Sequence, residues 1–313
     1  MSDQKIAFLF PGQGSQAVGM GRDLAEKFTV ARDTFAEADA ALGYSLSKLC
    51  FEGPAEQLKQ TEFTQPAIFA VSMAAYRVLA SRGVEPQIAA GHSLGEYAAC
   101  AAAGVMSFAD AIRALRSRGQ FMQEAVPEGQ GAMAAVLGLD ADVVRGVCEA
   151  AAKETKEIVS PANLNAPEQI VISGSAAGVA RASELAREKG AKKVVALQVS
   201  APFHCALMQP AQERLAEVLK QVEVHDPRFP VVSNVTADVT KRGGRERDLL
   251  IEQVTAPVRW VESMRCMMDA GASTFVEVGP GKVLSGLLRQ MDRAQRCMNV
   301  EDAASLEKAL AGN

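Results

Sequence analysis

Apolar residues recur along this chain in two rhythms: short continuous runs suited to buried strands, and three-to-four-residue stripes suited to helices. Ile6-Ala7-Phe8-Leu9-Phe10 is a run of the first kind, stopped by Pro11-Gly12. Leu24, Phe28, Ala31 and Phe35 form a stripe and predict one helix over residues 20–42. A second helix is expected over 64–82, with Thr64 as N-cap, Pro66 in its first turn and Gly83 ending it. A short strand over 87–92 precedes a helix that opens at Ser93, runs through the alanine-rich 97–103 and closes at Gly104. Ser107 and Asp110 resemble a loose capping box for a helix reaching about residue 124.

The rhythm changes near residue 131. Strand 132–137, helix 140–153, strands 158–163 and 169–173, helix 176–189 and strand 193–199 follow in turn. That β-α-β-β-α-β order is the split, ferredoxin-like pattern. It predicts a small domain at about 129–199, inserted into a larger one made of 1–128 and 200–313. Beyond it come a helix over 205–221, a strand over 230–234, a basic loop over 238–247 and a helix over 257–270. A strand over 274–278, the turn Gly279-Pro280-Gly281, a further helix and a helical segment at 303–311 complete the chain. Alternating elements imply an α/β fold with a mostly parallel sheet covered on both faces.

Composition narrows the function classes. The 313 residues are 48% hydrophobic and 22% charged, ample for a sizeable core. With 33 basic and 37 acidic residues, the net charge of −4 offers no electrostatic footprint for nucleic acid. Cys50, Cys100, Cys148, Cys205, Cys266 and Cys297 are far apart and lack metal-ligand spacing, so no metal is expected. Free thiols suit a reducing compartment, and no apolar stretch approaches a membrane span. The first apolar run is too short for a signal peptide, so the expectation is a soluble cytoplasmic protein with no membrane partner.

The strongest chemical signal is Gly91-His92-Ser93-Leu94-Gly95, which fits the G-x-S-x-G nucleophile elbow. Such a serine sits on a sharp strand-to-helix turn, and the following helix N-terminus presents N–H groups to a developing oxyanion. A serine nucleophile needs a base, and there are three histidines. His92 adjoins the serine and should point elsewhere, and His225 sits in a polar turn. His204 falls where a strand ends and a helix begins, the usual place for a site in an open α/β sheet. Cys205 is next to it, but adjacent residues on a helix do not share a face. Gly12-Gln13-Gly14-Ser15-Gln16-Ala17 matches a dinucleotide fingerprint, yet the acidic second strand it needs is replaced by a helical segment. This loop could instead bring a donor of Gln13 near a reacting carbonyl. Arg118 is followed by Gly119, which permits a close approach by another segment or a ligand.

Phe10-Pro11-Gly12-Gln13-Gly14-Ser15-Gln16, Gly91-His92-Ser93-Leu94-Gly95-Glu96, Arg118-Gly119, Ser200-Ala201-Pro202-Phe203-His204 and Glu277-Val278-Gly279-Pro280-Gly281 occur in that order. Together they resemble the malonyl-CoA:acyl carrier protein transacylases of bacterial type II fatty acid synthesis, over about residues 5–300. The resemblance implies an α/β-hydrolase-like core with a ferredoxin-like insertion. It implies ping-pong transfer of malonyl from malonyl-CoA, through Ser93, to the phosphopantetheine thiol of acyl carrier protein. No permanently bound cofactor is implied, since the phosphopantetheine belongs to the partner, and a monomer is expected. His204 would be the base and then the acid, with the backbone N–H groups of Gln13 and Leu94 as oxyanion hole. Arg118 would pair with the free malonyl carboxylate, and the main-chain carbonyl of Gln253 would orient the histidine. Phe203 would disfavour branched malonyl groups. An acidic carrier would seek a basic face, for which Lys192, Lys193, Lys241, Arg242 and Arg245 are candidates beside the plainer reading of solvated charge.

Three rival readings use the same residues. One is a serine thioesterase or esterase, from which the elbow alone does not separate a transferase. Another is a non-catalytic module of a multienzyme assembly, disfavoured by intact Ser93 and His204. The third is a stand-alone acyltransferase serving a polyketide pathway.

Overall fold

The computed structural model describes residues 5–199 and 201–311. Ser200, which opens one of the motifs above and the second part of the large domain, lies outside the described residues. The strands are β1 (Lys5–Phe10), β2 (Ile88–Gly91), β3 (Gly131–Leu137), β4 (Val159–Ala166), β5 (Gln169–Ser175), β6 (Lys193–Ala196), β7 (Val231–Val232), β8 (Val239–Thr240), β9 (Ala272–Val278) and β10 (Arg296–Val300). They form two sheets. The larger has the order β10-β9-β1-β2-β7-β8 and is parallel except for the edge strand β8. Its centre, β1, is buried from Ala7 to Phe10, as a run of consecutive apolar residues requires.

The smaller sheet is antiparallel, in the order β4-β5-β3-β6. Helices Ala141–Thr155 and Ala176–Glu188 are capped by Asp140 and Ser175, whose side chains accept from Val143 N and Gly178 N. Val144, Val147, Val179 and Ala182 from these helices share a core with Val136, Ile170 and Ile172 of the sheet. A parallel bridge between Asn163 and Val258 ties this sheet to the chain of the larger one. Asn165 of β4 also bonds His92, the residue after β2, at 2.8 Å.

Several expected elements differ. The helix over 20–42 is two helices, Arg22–Lys27 and Thr29–Leu42, because Phe28 adopts an extended conformation between them. The helix expected from Thr64 begins at Thr61, and Pro66 lies in its interior rather than its first turn. Thr64 does not cap it: its hydroxyl donates to the carbonyls of Leu58 and Gln60. Short helices Leu46–Glu52 and Ala55–Leu58 were not foreseen, nor was β10. The basic loop is β8 followed by the start of helix Gly243–Glu252, and helix 205–221 is a 3-10 turn followed by Gln209–Lys220.

Candidate active site

Ser93 sits between the end of β2 and helix Gly95–Ala103, with φ at 52°. Non-glycine residues enter that left-handed region only when their surroundings hold them there. Here both flanking glycines are required by space. A Cβ on Gly91 would stand 1.9 Å from the Gly95 backbone, and one on Gly95 would stand 2.2 Å from the Phe10 carbonyl oxygen. The turn is clamped from β7's end: Ser93 N donates to Asn234 Oδ1 at 2.7 Å, and Asn234 Nδ2 donates to Gly91 O at 2.7 Å.

His204 also has a positive φ, 58°, and is 3% exposed. Its Nε2 lies 2.8 Å from Ser93 Oγ. Its Nδ1 lies 2.9 Å from the Gln253 carbonyl oxygen and 3.1 Å from that of Ala256. Two carbonyls accept but do not donate, so Nδ1 carries the hydrogen and Nε2 keeps a lone pair for the serine proton. Burial, reinforced by the charge of Arg118, holds the imidazole well below its usual range, at about 3. The ring is therefore neutral at neutral pH, with the Nε2 lone pair unprotonated. Of the other two histidines, His92 lines the same cavity as Ser93 and His204 instead of pointing away from it, but its ring is held by other partners. His92 bonds Asn165 Oδ1 at 2.8 Å and meets Trp260 edge-on, while His225 is exposed beside Glu223.

Arg118 is 1% exposed. Its Nη1 donates to Gln65 Oε1 at 2.7 Å, and its Nη2 to Gln253 Oε1 at 2.8 Å and to Ser93 Oγ at 3.2 Å. Its helix, Phe108–Glu124, crosses helix Thr61–Ser81 closely because Gly119 has no side chain. A Cβ there would stand 2.6 Å from the Thr61 carbonyl oxygen. That crossing puts Gln65 against the guanidinium. These partners are neutral acceptors, weaker than a carboxylate would be.

The serine and histidine open onto a cavity of about 360 Å³. Gln13 and Phe203 belong to its wall, as do Met133 of β3, Asn163 of β4, Leu197 just after β6, and Lys59. Among the described residues, neither Gln13 N nor Leu94 N has a protein acceptor. The Gly12–Ala17 loop leads to no helix of the dinucleotide type, since the next helix starts at Arg22. Cys205 bonds the Pro202 carbonyl, and burial pushes its thiol up. None of Lys192, Lys193, Lys241, Arg242 or Arg245 lines the cavity. Lys192, Arg242 and Arg245 are paired with Glu168, Asp226 and Glu252.

Three residues of the site were not singled out from sequence. Asn234 ends the segment expected as a strand, the position at which sites collect. Gln65 is an amide directly before the apolar run Pro66–Val71 of its helix, and Glu96 is a carboxylate in the buried elbow helix. Each had that one signal.

The chain matches the acyl transferase domain family over residues 7–309. It is 50% identical to the malonyl CoA-acyl carrier protein transacylase of Bacillus subtilis (strain 168), over 98% of this chain and 96% of the relative. The chain belongs to the malonyl CoA-acyl carrier protein transacylase family. The family's Escherichia coli (strain K12) member is 46% identical, over 98% and 99% of the two chains. Among solved structures, the Coxiella burnetii family member superposes with a TM-score of 0.96 at 41% identity, covering 98% of this chain and 97% of that one. A malonyl-transacylase in complex with a type II PKS acyl-carrier protein superposes with a TM-score of 0.96 at 45% identity, covering 99% and 100%.

Proposed function

We propose that this protein moves the malonyl group from malonyl-CoA to the phosphopantetheine thiol of acyl carrier protein, supplying fatty acid synthesis through a malonyl-Ser93 intermediate. The observation that carries this reading is the double engagement of Ser93 Oγ. A base, His204 Nε2, lies 2.8 Å away, and a buried guanidinium, Arg118 Nη2, lies 3.2 Å away. A base at that distance suits any serine esterase. A buried arginine held by neutral amides selects an acyl group bearing its own carboxylate.

In the first half-reaction the Ser93 proton passes to His204 Nε2 as Oγ attacks the thioester carbon. The N–H groups of Gln13 and Leu94 receive the oxyanion, and a lost donor of this kind costs roughly 10²–10³ in rate. The intermediate collapses, CoA leaves as the thiol with the proton from His204, and malonyl stays on Ser93. In the second half the carrier thiol gives its proton to His204 and attacks the ester carbon; the Ser93 Oγ–carbon bond breaks, Oγ takes the proton back from His204, and the carrier leaves as the malonyl thioester. The Gln253 carbonyl keeps the imidazole oriented throughout. Arg118 holds the malonyl carboxylate, and Phe203 at the cavity wall restricts substitution next to the carbonyl. No resident cofactor or metal enters these steps.

The fold reading that accompanies this function is an α/β-hydrolase-like domain, residues 1–128 and 200–313, with a ferredoxin-like domain, 129–199, inserted. The elbow after β2 supports the first part. The β-α-β-β-α-β order and the sheet order β4-β5-β3-β6 support the second. We read the protein as a cytoplasmic monomer. Among the described residues, no helix is long and apolar enough to cross a membrane. A carrier from a type II PKS is the second reading of the partner, favoured by the superposition on a malonyl-transacylase bound to such a carrier.

Incubation with radiolabelled malonyl-CoA, then holo acyl carrier protein, tests the assignment. A label on Ser93 that discharges to the carrier is expected. Prompt release of free malonate without transfer would make the protein a hydrolase.

A further inference from the structure

Gln253 serves the site with two different groups. Its backbone oxygen faces His204 Nδ1, and its side-chain Oε1 accepts from Arg118 Nη2 at 2.8 Å. A primary amide has nearly the same outline with its oxygen and nitrogen exchanged, so shape does not decide which end meets the guanidinium. Turned over, it would set donor against donor. The far end of the amide supplies the decision. Gln253 Nε2 donates most closely to Glu96 Oε2, at 2.6 Å, and also to the Ser93 carbonyl at 3.0 Å and Asn234 Oδ1 at 3.3 Å.

Glu96 is fully buried on the elbow helix. Its Oε2 also accepts from Asn234 N at 3.2 Å, while its Oε1 has no partner among the described residues. It is the carboxylate whose charge reaches Arg118 through the interior. Burial pushes the Glu96 carboxyl up to about 7, and in either protonation state Oε2, with two donors already on it, accepts, while a guanidinium only donates. An amide between the two has a single satisfied orientation.

We propose that Glu96 is a positioning residue for malonyl selectivity: by accepting from Gln253 Nε2 it fixes the Gln253 amide with its oxygen toward Arg118, and so holds the guanidinium ready for the acyl carboxylate. The proposal rests on the reading of Arg118 given above. Glu96 itself reaches no reacting atom. Its effect travels through one amide.

The test compares Glu96→Ala, Glu96→Gln and Arg118→Ala with the native protein. Acylation of Ser93 by malonyl-CoA and by acetyl-CoA is measured per folded molecule, with circular dichroism as the folding control. In Glu96→Gln the amide oxygen replaces Oε2 as acceptor, and the NH2 takes the partnerless position. Glu96→Ala lowers the malonyl-to-acetyl ratio of kcat/KM by about tenfold or more, mainly through the malonyl KM, and Glu96→Gln restores it to within about threefold. Should the alanine variant not fold, Glu96→Met, which fills the space without an acceptor, carries the same expectation. An unchanged ratio in the alanine or methionine variant, or an equal loss in the glutamine variant, overturns the proposal. If Arg118→Ala keeps its malonyl preference, the reading of Arg118 fails instead.

Discussion

The Gln253 carbonyl oxygen stands 2.9 Å from His204 Nδ1, in the place where a serine triad carries a carboxylate. The imidazolium formed during transfer is met by main-chain dipoles instead of a charge. Because the acceptor is backbone, no side-chain substitution at residue 253 removes it.

The two services of Gln253 should therefore separate. Gln253→Ala keeps the carbonyl facing His204 but deletes one of the three acceptors of Arg118. Fluorophosphonate labelling of Ser93 is expected to survive to within about tenfold, whereas the malonyl KM rises by about 10- to 100-fold. Loss of both in equal measure would mean that the amide also holds the histidine.

His204 gives a pH signature. Its buried, arginine-facing imidazole titrates at about 3, not in the usual histidine range. A base must be unprotonated, so labelling of Ser93 should hold steady between about pH 8 and about pH 5, where an ordinary histidine would already be charged. Arg118→Ala removes a positive neighbour and should move the acid limb upward. A native limb near pH 6.5 would contradict the environment described.

Glu246 makes an opposite prediction for stability. Burial, then the neighbouring charge of Glu96, pushes its carboxyl well above the usual range. The folded protein thus binds a proton that the unfolded chain has released. Its contribution to stability is greatest at acid pH and is lost as pH rises above the ordinary carboxylate range. Glu246→Gln, which never ionises, should be more stable than the native protein at about pH 9 and close to it at about pH 5, by urea unfolding. A constant difference across that range would place the cost elsewhere.

The elbow glycines are the mechanically tightest positions. Gly91→Ala and Gly95→Ala drive a Cβ into backbone, not into a side chain that can turn away. Each should cost about 3 kcal/mol or more, beyond ordinary overpacking, and reduce Ser93 labelling in the fraction that folds. Unaltered melting would show that the turn can shift.

What the sequence disclosed follows from which interactions are local. The run from Ile6 to Phe10, the Gly104 stop and the Ser107 cap depend on neighbours in the chain and were legible. The elbow pattern and the scarcity of histidines also pointed to Ser93 and His204 as a pair, and their side chains stand 2.8 Å apart. The break at Phe28 and the pairing of β8 and β10 depend on tertiary contacts without a periodic trace. Asn234, Gln65 and Glu96 escaped for the same reason. Each is ordinary in its own stretch of chain and acquires a task only when distant elements pack against it.

The order of these parts along the chain has a consequence for synthesis. Ser93 leaves the ribosome first, its base follows 111 positions later, and the carbonyl that orients the base follows another 49 after that. Until the last of them arrives and docks, Ser93 is an ordinary hydroxyl. On the proposed roles of these residues, the nascent protein would gain reactivity toward thioesters only once the chain as far as Gln253 has folded into place.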